Sequence, residues 1–394
     1  MSRNFSIVWI LGFAGFLVMA NSWIVSLILP AIAIDFGLSV PQASTVITAY
    51  LLSFGLSPLF FGPLADRYGK FRVIVLSLSL FILTTAFCSL DANFNTLAVF
   101  RILSGAFAGS VMPVSNALIS DLFAQEERQL ALGLFQGLSI LGQGVSMTFG
   151  GIVASTLGWR SIFSFISLLG VISFILVLTI GKNVQLSSVK NKIVFKNYLL
   201  LFQNSLHQRT YFIILIEGIL IGGLFSYLGA FIVFTYNFDN LMTGIIMTTF
   251  GLSVALFGKI SDRLARKWGQ KTTLLIGFMA GMVSNFLLLF WGNILFPVIA
   301  SVIFLGLALI IIHPTMLIMV AEFSHDVRGA AMSMVACSYM VGSGLGTALG
   351  GYLLEKMGYQ AIFFVYGLTC FVLMIVIKQW LRLPYVNRGL ARNG

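Results

Sequence analysis

The sequence predicts an all-α integral membrane protein with twelve transmembrane helices arranged in two pseudo-symmetric six-helix halves. Composition, apolar runs and an internal repeat support this fold class. Hydrophobic residues make up 59% of the 394 residues and charged residues only 9%, with a mean hydropathy of +1.01. A soluble domain carries about 25% charged residues. So much apolar surface cannot be buried in a water-soluble core, so lipid must be the solvent.

Twelve apolar runs are each long enough to cross a bilayer, which requires about 20 residues per helix. Their hydrophobicity is continuous rather than alternating, which favours helices over barrel strands. The first run is too long for the apolar region of a signal peptide, so we interpret it as the first span. We place the spans near 7–31, 42–61, 73–90, 95–119, 130–154, 161–181, 211–235, 242–258, 272–291, 294–320, 329–353 and 360–381.

The basic residues predict the orientation of these spans. Of the 23 Lys and Arg residues, all but Arg101, Arg160 and Lys356 fall in even-numbered connections or at the termini. The positive-inside rule therefore places both termini in the cytoplasm. We expect an N-terminal half over 1–181, a basic cytoplasmic linker over 182–210, a C-terminal half over 211–381 and a cytoplasmic tail over 382–394. The net charge of +11 is thus a topology signal, and we expect no nucleic-acid partner.

The second half repeats the first at a spacing of 200 residues, which relates two ladders of small residues. Such ladders allow close helix packing, which we expect between the halves. The ladders are Gly142, Ser146 and Gly150 in span 5, and Gly342, Gly346 and Gly350 in span 11. Two similar membrane halves that can move about a shared central site are typical of a transporter.

A shorter spacing of 196 residues relates a cytoplasmic motif in the two halves. Gly62, Asp66 and Arg67 match Gly258, Asp262 and Arg263. Because Gly69 and Gly269 lie 200 residues apart, this match predicts four extra residues after its second copy.

The stretch from Gly62 to Arg72 resembles the hallmark cytoplasmic motif of the major facilitator superfamily. The resemblance extends over the whole chain and implies the major facilitator fold. It also implies a conformational latch made by Gly62, Asp66, Arg67 and Gly69, with Asp262 and Arg263 in the second half. An aspartate at a helix end can accept from N–H groups of a neighbouring helix and pair with arginine. The alternative is a solvated charge cluster that only sets topology.

Other segments resemble the drug:proton antiporter branch of this superfamily. In span 4 the resemblance lies in Arg101 and Gly105, and in span 1 in the stretch that ends at Asp35. Span 5 matches imperfectly, because Ser146 and Met147 replace the glycine–proline pair of the antiporter motif. The resemblance implies proton-coupled export, and the imperfect match leaves a symporter, importer or uniporter as the alternative.

Four residues are candidates for proton coupling. Glu217 is the sole acid inside an apolar run, where burial favours a neutral carboxyl group that can carry a proton. His313 also lies at membrane depth and titrates near neutral pH. Arg101 and Asp35 complete the set. Each has a structural alternative: an interfacial or Arg209-paired Glu217, a packed core histidine, an Arg101 that reaches the interface, and a capping Asp35.

The predicted cavity holds few charges, which favours small amphipathic organic compounds, such as drugs or secreted metabolites, as substrates. Its polar and adaptable candidates are Asn21, Met112, Asn116, Gln136, Gln143, Tyr227 and Tyr339. We expect neither an enzyme nor a metal site, because the sequence offers no nucleophile–base arrangement and no ligand cluster. There is no phosphate-binding loop, so the proton gradient rather than a cofactor would supply energy. We expect a monomer in a bacterial inner membrane, with a transporter-like sensor as the distant alternative.

Overall fold

The computed structural model describes residues 3–90, 93–181, 201, 205–258, 260–324 and 328–380. Within this part, twelve helical spans are long and apolar enough to cross a membrane, which confirms the predicted fold class. Span 1 consists of two helices, Arg3–Trp23 and Val25–Asp35, and a short helix, Val40–Ala43, precedes span 2. Spans 2 to 12 are Thr45–Tyr68, Lys70–Leu90, Phe94–Leu122, Gln125–Leu157, Arg160–Gly181, Ser205–Tyr236, Asn240–Phe257, Ile260–Trp291, Leu295–Phe323, Arg328–Met357 and Tyr359–Trp380.

Several helices extend beyond the predicted apolar runs, because their first turns are polar. Span 5 begins at Gln125 and carries Glu126 and Glu127 in its first turn, where acids complement the helix dipole. Span 7 begins at Ser205, so residues 205–210 of the predicted linker belong to this helix. The remainder of that linker, apart from residue 201, and the predicted tail over 382–394 lie outside the described residues.

Span 1 is interrupted at Ile24, next to two serines that bond to the backbone. Ser22 Oγ donates to the Val18 carbonyl at 2.8 Å, and Ser26 Oγ donates to the Trp23 carbonyl at 2.6 Å. Serine hydroxyls that bond back to carbonyls compete with the helical ladder and often bend a helix. The break separates the two helices of span 1.

Two pairs of turn glycines show that the backbone repeats at 200 residues. Gly69 and Gly269 have φ angles of 98° and 80°, and Gly158 and Gly358 have 84° and 81°. These angles lie in the left-handed region, which glycine adopts without steric cost. Gly69 lies between spans 2 and 3, and Gly269 interrupts the helix Ile260–Trp291 at the equivalent place in the second half. Gly158 lies between spans 5 and 6, and Gly358 between spans 11 and 12.

Helix contacts extend the same spacing through spans 2 and 8. Gly105 of span 4 lies against Ser53 and the Tyr50 carbonyl of span 2. In the same way, Gly306 of span 10 lies against Ser253 and the Phe250 carbonyl of span 8. Ser53 and Ser253 are therefore counterparts, 200 residues apart.

The expectation of four extra residues in the second half is consequently wrong. Equal numbers of residues separate the equivalent serines from the turn glycines Gly69 and Gly269. Asp262 lies one helical turn before the counterpart of Asp66, which is Arg266. The second copy of the motif has moved along its helix, and the chain has not lengthened.

The halves pack against each other through spans 5 and 8 and through spans 2 and 11. Gly144 lies against the backbone of Gly251, and Thr148 Oγ1 is 2.7 Å from Thr248 Oγ1. On the other side of the bundle, Gly344 lies against Leu52. Missing side chains thus let two pairs of helices approach closely across the interface.

The small-residue ladders pack inside each half, which corrects the expectation that they join the halves. Gly142 lies against the Phe16 carbonyl of span 1, and Gly342 lies against the Leu215 carbonyl of span 7. Gly144, which contacts the other half, lies on a different face of span 5 from Gly142. The remaining ladder residues lie as follows: Gly150 against Ile24, Gly346 against Ile219, Gly350 against Tyr227, and Ser146 with its hydroxyl bonded to the Gln143 carbonyl.

Replacing Gly251 with alanine is expected to lower thermal stability. The new methyl group would overlap the Gly144 backbone, and overpacking costs about 1–3 kcal/mol. The matched control is Gly137→Ala, because Gly137 is exposed in a helix with open space around it. The control should gain about 0.5–1 kcal/mol from helix propensity. Thermal unfolding in detergent measures both, and equal shifts would contradict the close contact.

Candidate functional site

The bundle has two faces, which we name by the chain ends. Because the number of spans is even, the start of span 1 and the end of span 12 lie on the same side, the terminal face. The connections between spans 1 and 2 and between spans 7 and 8 lie on the other side, the opposite face.

At the opposite face the two halves are in contact. The Tyr227 hydroxyl of span 7 is 2.8 Å from Ser44 Oγ at the start of span 2 and 2.6 Å from the Thr347 carbonyl oxygen of span 11. Gly229 lies against the backbone of Ser26, and nearby aromatic side chains of spans 1 and 7 meet edge to face. Tyr227, a predicted cavity residue, is therefore buried in the contact that closes this face.

At the terminal face, two polar contacts each lie within one half. Lys70 Nζ pairs with Asp121 at 2.5 Å in the first half. Gln270 Nε2 donates to Glu322 at 2.9 Å in the second. The contacts between the halves that are named above lie, within the described residues, at the middle of the bundle and at the opposite face. The structure therefore shows a state closed at the opposite face.

Glu217, His313 and Tyr339 meet in the interior of the second half. They come from spans 7, 10 and 11. His313 Nδ1 is 3.3 Å from Glu217 Oε1, and the rings of His313 and Tyr339 lie 4.8 Å apart between centroids. The Tyr339 hydroxyl is buried without a hydrogen-bond partner. The structure thus assembles three predicted candidates into one titratable cluster.

The cluster lies deep in the membrane region. Glu217 is twelve residues into span 7, about 18 Å along the helix at about 1.5 Å per residue. Its side chain is 0% exposed, whereas the His313 side chain is 26% exposed. His313, which contacts Glu217, is therefore the more accessible member of the pair.

Span 7 carries the acid on an unbroken helix. The structure places Glu217 against His313, whereas the sequence also suggested Arg209 as its partner. Gly222 and Gly223 do not interrupt the helix. Their missing side chains let span 11 approach, since a Cβ at Gly222 would overlap Ser343. The acid is held on a rigid element.

Arg101 lies inside the first half, completely buried. Its guanidinium carbon is 3.9 Å from the centre of the Tyr50 ring, and Nε donates a long bond of 3.5 Å to the Val46 carbonyl. Its Nη1 and Nη2 have no hydrogen-bond partner. Aromatic faces attract such a cation, most strongly where water is absent. The contacts given for Arg101 lie within the first half, whereas the Glu217 cluster belongs to the second, and the role of Arg101 in transport stays a prediction.

Asp35 forms an ion pair at the opposite face. Its carboxylate is 2.5 Å from Arg160 Nη1, with side-chain exposures of 42% and 35%. The Arg160 guanidinium also lies over the Trp159 ring. The pair connects the end of span 1 with the start of span 6. Partly exposed pairs of this kind contribute little to stability, about 0–1 kcal/mol.

Several predicted cavity residues lie in spans 1, 4 and 5 of the first half. Gln136 Nε2 donates to Asn116 Oδ1 at 3.2 Å and links spans 5 and 4. Met112 lies beside Gly15 of span 1, and Gln143 is buried in span 5. Asn21 is fully buried next to the Tyr50 hydroxyl, without a hydrogen bond of regular geometry.

The predicted latch residues lie at the terminal face without forming a contact between halves. Asp66 is half-buried near Lys70, and no hydrogen bond to its carboxylate is recorded within the described residues. Asp262 pairs with Arg266 on its own helix at 2.5 Å, and Arg263 is exposed. Within the described residues the structure shows no latch contact at these positions, and the latch stays a prediction.

Sequence reasoning missed Tyr50 and the Lys70–Asp121 pair. Tyr50 had a usable signal, because it is a tyrosine in the middle of an apolar run with a hydroxyl that needs a partner. The Lys70–Asp121 pair had none, since it joins residues 51 apart on different spans.

Comparison with known proteins agrees with this architecture. The sequence profile of the Major Facilitator Superfamily matches residues 11–266 and 210–393. The chain is 24% identical over 375 residues to the uncharacterised MFS-type transporter YceJ of Bacillus subtilis, covering 92% of this chain and 95% of that protein. It is 31% identical over 182 residues to the probable multidrug resistance protein EmrY of Escherichia coli, covering 46% and 36% of the two chains.

Two further similarities are to transporters named for other substrates. Citrate exporter 1 of Aspergillus niger is 30% identical over 179 residues, which cover 45% of this chain and 34% of that protein. The crystal structure of the nucleoside transporter NupG superposes with a TM-score of 0.75 at 16% identity, covering 98% of this chain and 100% of NupG. The latter similarity shows a shared fold.

Proposed function

Since the chain belongs to the Major Facilitator Superfamily, we propose that it is a secondary transporter that exports small amphipathic organic compounds in exchange for protons. The transport cycle would alternate access to a site between the two halves. The similarity to the multidrug protein EmrY supports export of drugs or secreted metabolites.

The distribution of basic residues supports an assignment of the terminal face to the cytoplasm. The positive-inside rule puts the terminal face in the cytoplasm of a bacterial inner membrane. The state closed at the opposite face is then the one that loads substrate from the cytoplasm. We propose that a single chain suffices, because both halves of the interface come from one polypeptide.

The observation that carries the proton coupling is the Glu217–His313 pair. Glu217 is the only fully buried acid in the described part of the chain. An ionisable residue at membrane depth marks an ion or proton pathway by default. The partly exposed His313 provides a group that can pass protons to it.

The chemistry of the interior supports an amphipathic substrate. The buried cation Arg101 is covered by the Tyr50 ring in this state. The polar side chains that remain, such as Asn116 and Gln136, are neutral and half-buried. Few polar groups on a largely apolar wall are typical of sites for small organic ligands.

Two alternatives follow from specific features. A symporter or uniporter of a small metabolite is compatible with the same fold, and the missing proline at Met147 keeps it open. A membrane sensor would need a partner protein that signals, so it is the more distant alternative.

Transport by purified protein in liposomes tests the proposal. A panel of fluorescent amphipathic compounds is followed with an imposed pH gradient, with the reversed gradient and with none. Compound movement opposite to the proton flow is the expected result. Movement in the same direction would establish a symporter, and movement independent of the gradient would establish a uniporter or another coupling ion. Both outcomes contradict proton-driven export.

A further inference from the structure

Span 11 touches the titratable cluster with one face and the other half of the protein with another. Tyr339 and Ser343 face span 7, where Gly218 lies against both backbones. Met340 and Val341 face span 2, where they lie against Gly55. Three consecutive residues therefore join the buried acid to the interface between the halves.

Both contacts are made without intervening side chains. A Cβ at Gly218 would overlap the Tyr339 carbonyl, and a Cβ at Gly55 would overlap the Val341 backbone. Closely packed helices transmit displacements because they do not deform continuously. A shift of Tyr339 relative to span 7 must therefore move Val341 relative to span 2.

Tyr339 has a hydrogen-bonding requirement that depends on its neighbours. Its hydroxyl is buried without a hydrogen-bond partner in this state, and its ring lies 4.8 Å from the ring of His313, which contacts Glu217. A phenol donates to a carboxylate, whereas a protonated carboxyl group competes as a donor. A proton on Glu217 would therefore change which hydrogen bond the Tyr339 hydroxyl can form in this cluster.

Few titratable or charged side chains lie near Glu217. His313 of span 10 and Tyr339 of span 11 are the titratable side chains that face it. Span 8 carries no charged side chain, and the charged residues of span 12 and of the second helix of span 1, Lys378 and Asp35, lie near the ends of those helices.

We infer that Tyr339 senses the protonation of the Glu217–His313 pair and passes it through span 11 to the contact with Gly55. Tyr339 is a positioning residue here, and the inference rests on the proposed proton coupling at Glu217. Span 11 then converts a local proton transfer into relative movement of the halves.

The test measures the distance between the halves as a function of pH. Spin labels at the exposed positions 72 and 267 report on the terminal face, and the three native cysteines are buried. In the wild-type protein we expect two populations with different label distances, and the ratio of these populations should change with pH. Tyr339→Phe should reduce the pH-induced change in the population ratio about tenfold, the size expected from one hydrogen bond to a charged group.

Two controls separate this inference from the proposed function. Tyr211→Phe removes a hydroxyl that bonds span 7 to the Ala331 carbonyl of span 11, and it should keep the wild-type pH response. Glu217→Gln should abolish the response. A normal response in Tyr339→Phe with none in Glu217→Gln would overturn the inference and leave the proposed function standing. A normal response in Glu217→Gln would overturn the proposed proton site itself.

A second variant keeps the inference testable if Tyr339→Phe does not fold. Gly55→Ala leaves the cluster intact and alters the joint with span 2. The infrared band of the protonated Glu217 carboxyl group should still titrate, while the distance change is lost. A titrating band together with an unchanged distance response would overturn the inference.

Discussion

Replacing Glu217 with glutamine is expected to abolish substrate movement driven by a pH gradient, to the level of liposomes without protein. Glutamine keeps the size and hydrogen-bonding capacity of the side chain but cannot take up a proton. No other acid in the described part of the chain is fully buried, so no neighbour can replace it. Exchange of labelled for unlabelled substrate without a gradient should continue, because it needs no net proton movement.

The matched control for this variant is Glu126→Gln. Glu126 is exposed in the first turn of span 5, so the same charge is removed away from the cluster. Wild-type transport is expected. Gradient-driven transport at a normal rate in Glu217→Gln would remove Glu217 from the proton pathway.

Replacing Tyr227 with phenylalanine is expected to favour opening of the opposite face about fivefold. The variant keeps the ring that packs against Gly350 and loses the hydrogen bond to Ser44 across the halves. One such bond contributes about 1 kcal/mol. The bond to Thr347 is internal to the second half, so its loss should affect both states alike.

Distances between spin labels at the exposed positions 95 and 293 measure this opening. The matched control is Tyr366→Phe, because the Tyr366 hydroxyl bonds to the Gly346 carbonyl within one half. An equal redistribution in both variants would show a general loss of packing and contradict a specific role for Tyr227.

The fold class was predictable because membrane helices must satisfy their backbone internally and be continuously apolar. The same logic identified Glu217 and His313 separately, as titratable residues within apolar runs. Their pairing was not predictable, because it joins positions 96 residues apart on two helices. Helix packing, rather than local spacing, decides such pairs.

The incorrect repeat register has a physical origin. A displacement of four residues keeps a side chain on nearly the same face of a helix, about 40° away. Asp262 therefore satisfies the same pattern as Asp66 although its true counterpart is Arg266. Only the contacts of Ser53 and Ser253 and the turn glycines reveal the correct spacing.

The repeat of the backbone at the glycine turns does not extend to the chemistry of the interior. Gly142 lies against Phe16, and its counterpart Gly342 lies against Leu215, so Phe16 and Leu215 are counterparts. Two residues further along each helix, Val18 is therefore the counterpart of Glu217. Gly105 and Gly306 make equivalent contacts, so Met112, seven residues after Gly105, corresponds to His313. The spacing of 200 residues relates Ser139 to Tyr339. Both halves share one backbone repeat, yet Glu217, His313 and Tyr339 meet in the second half alone. A chain made from two first halves would retain the turns and carry no acid at the position of Glu217, so the two halves are equivalent in backbone and different in chemistry.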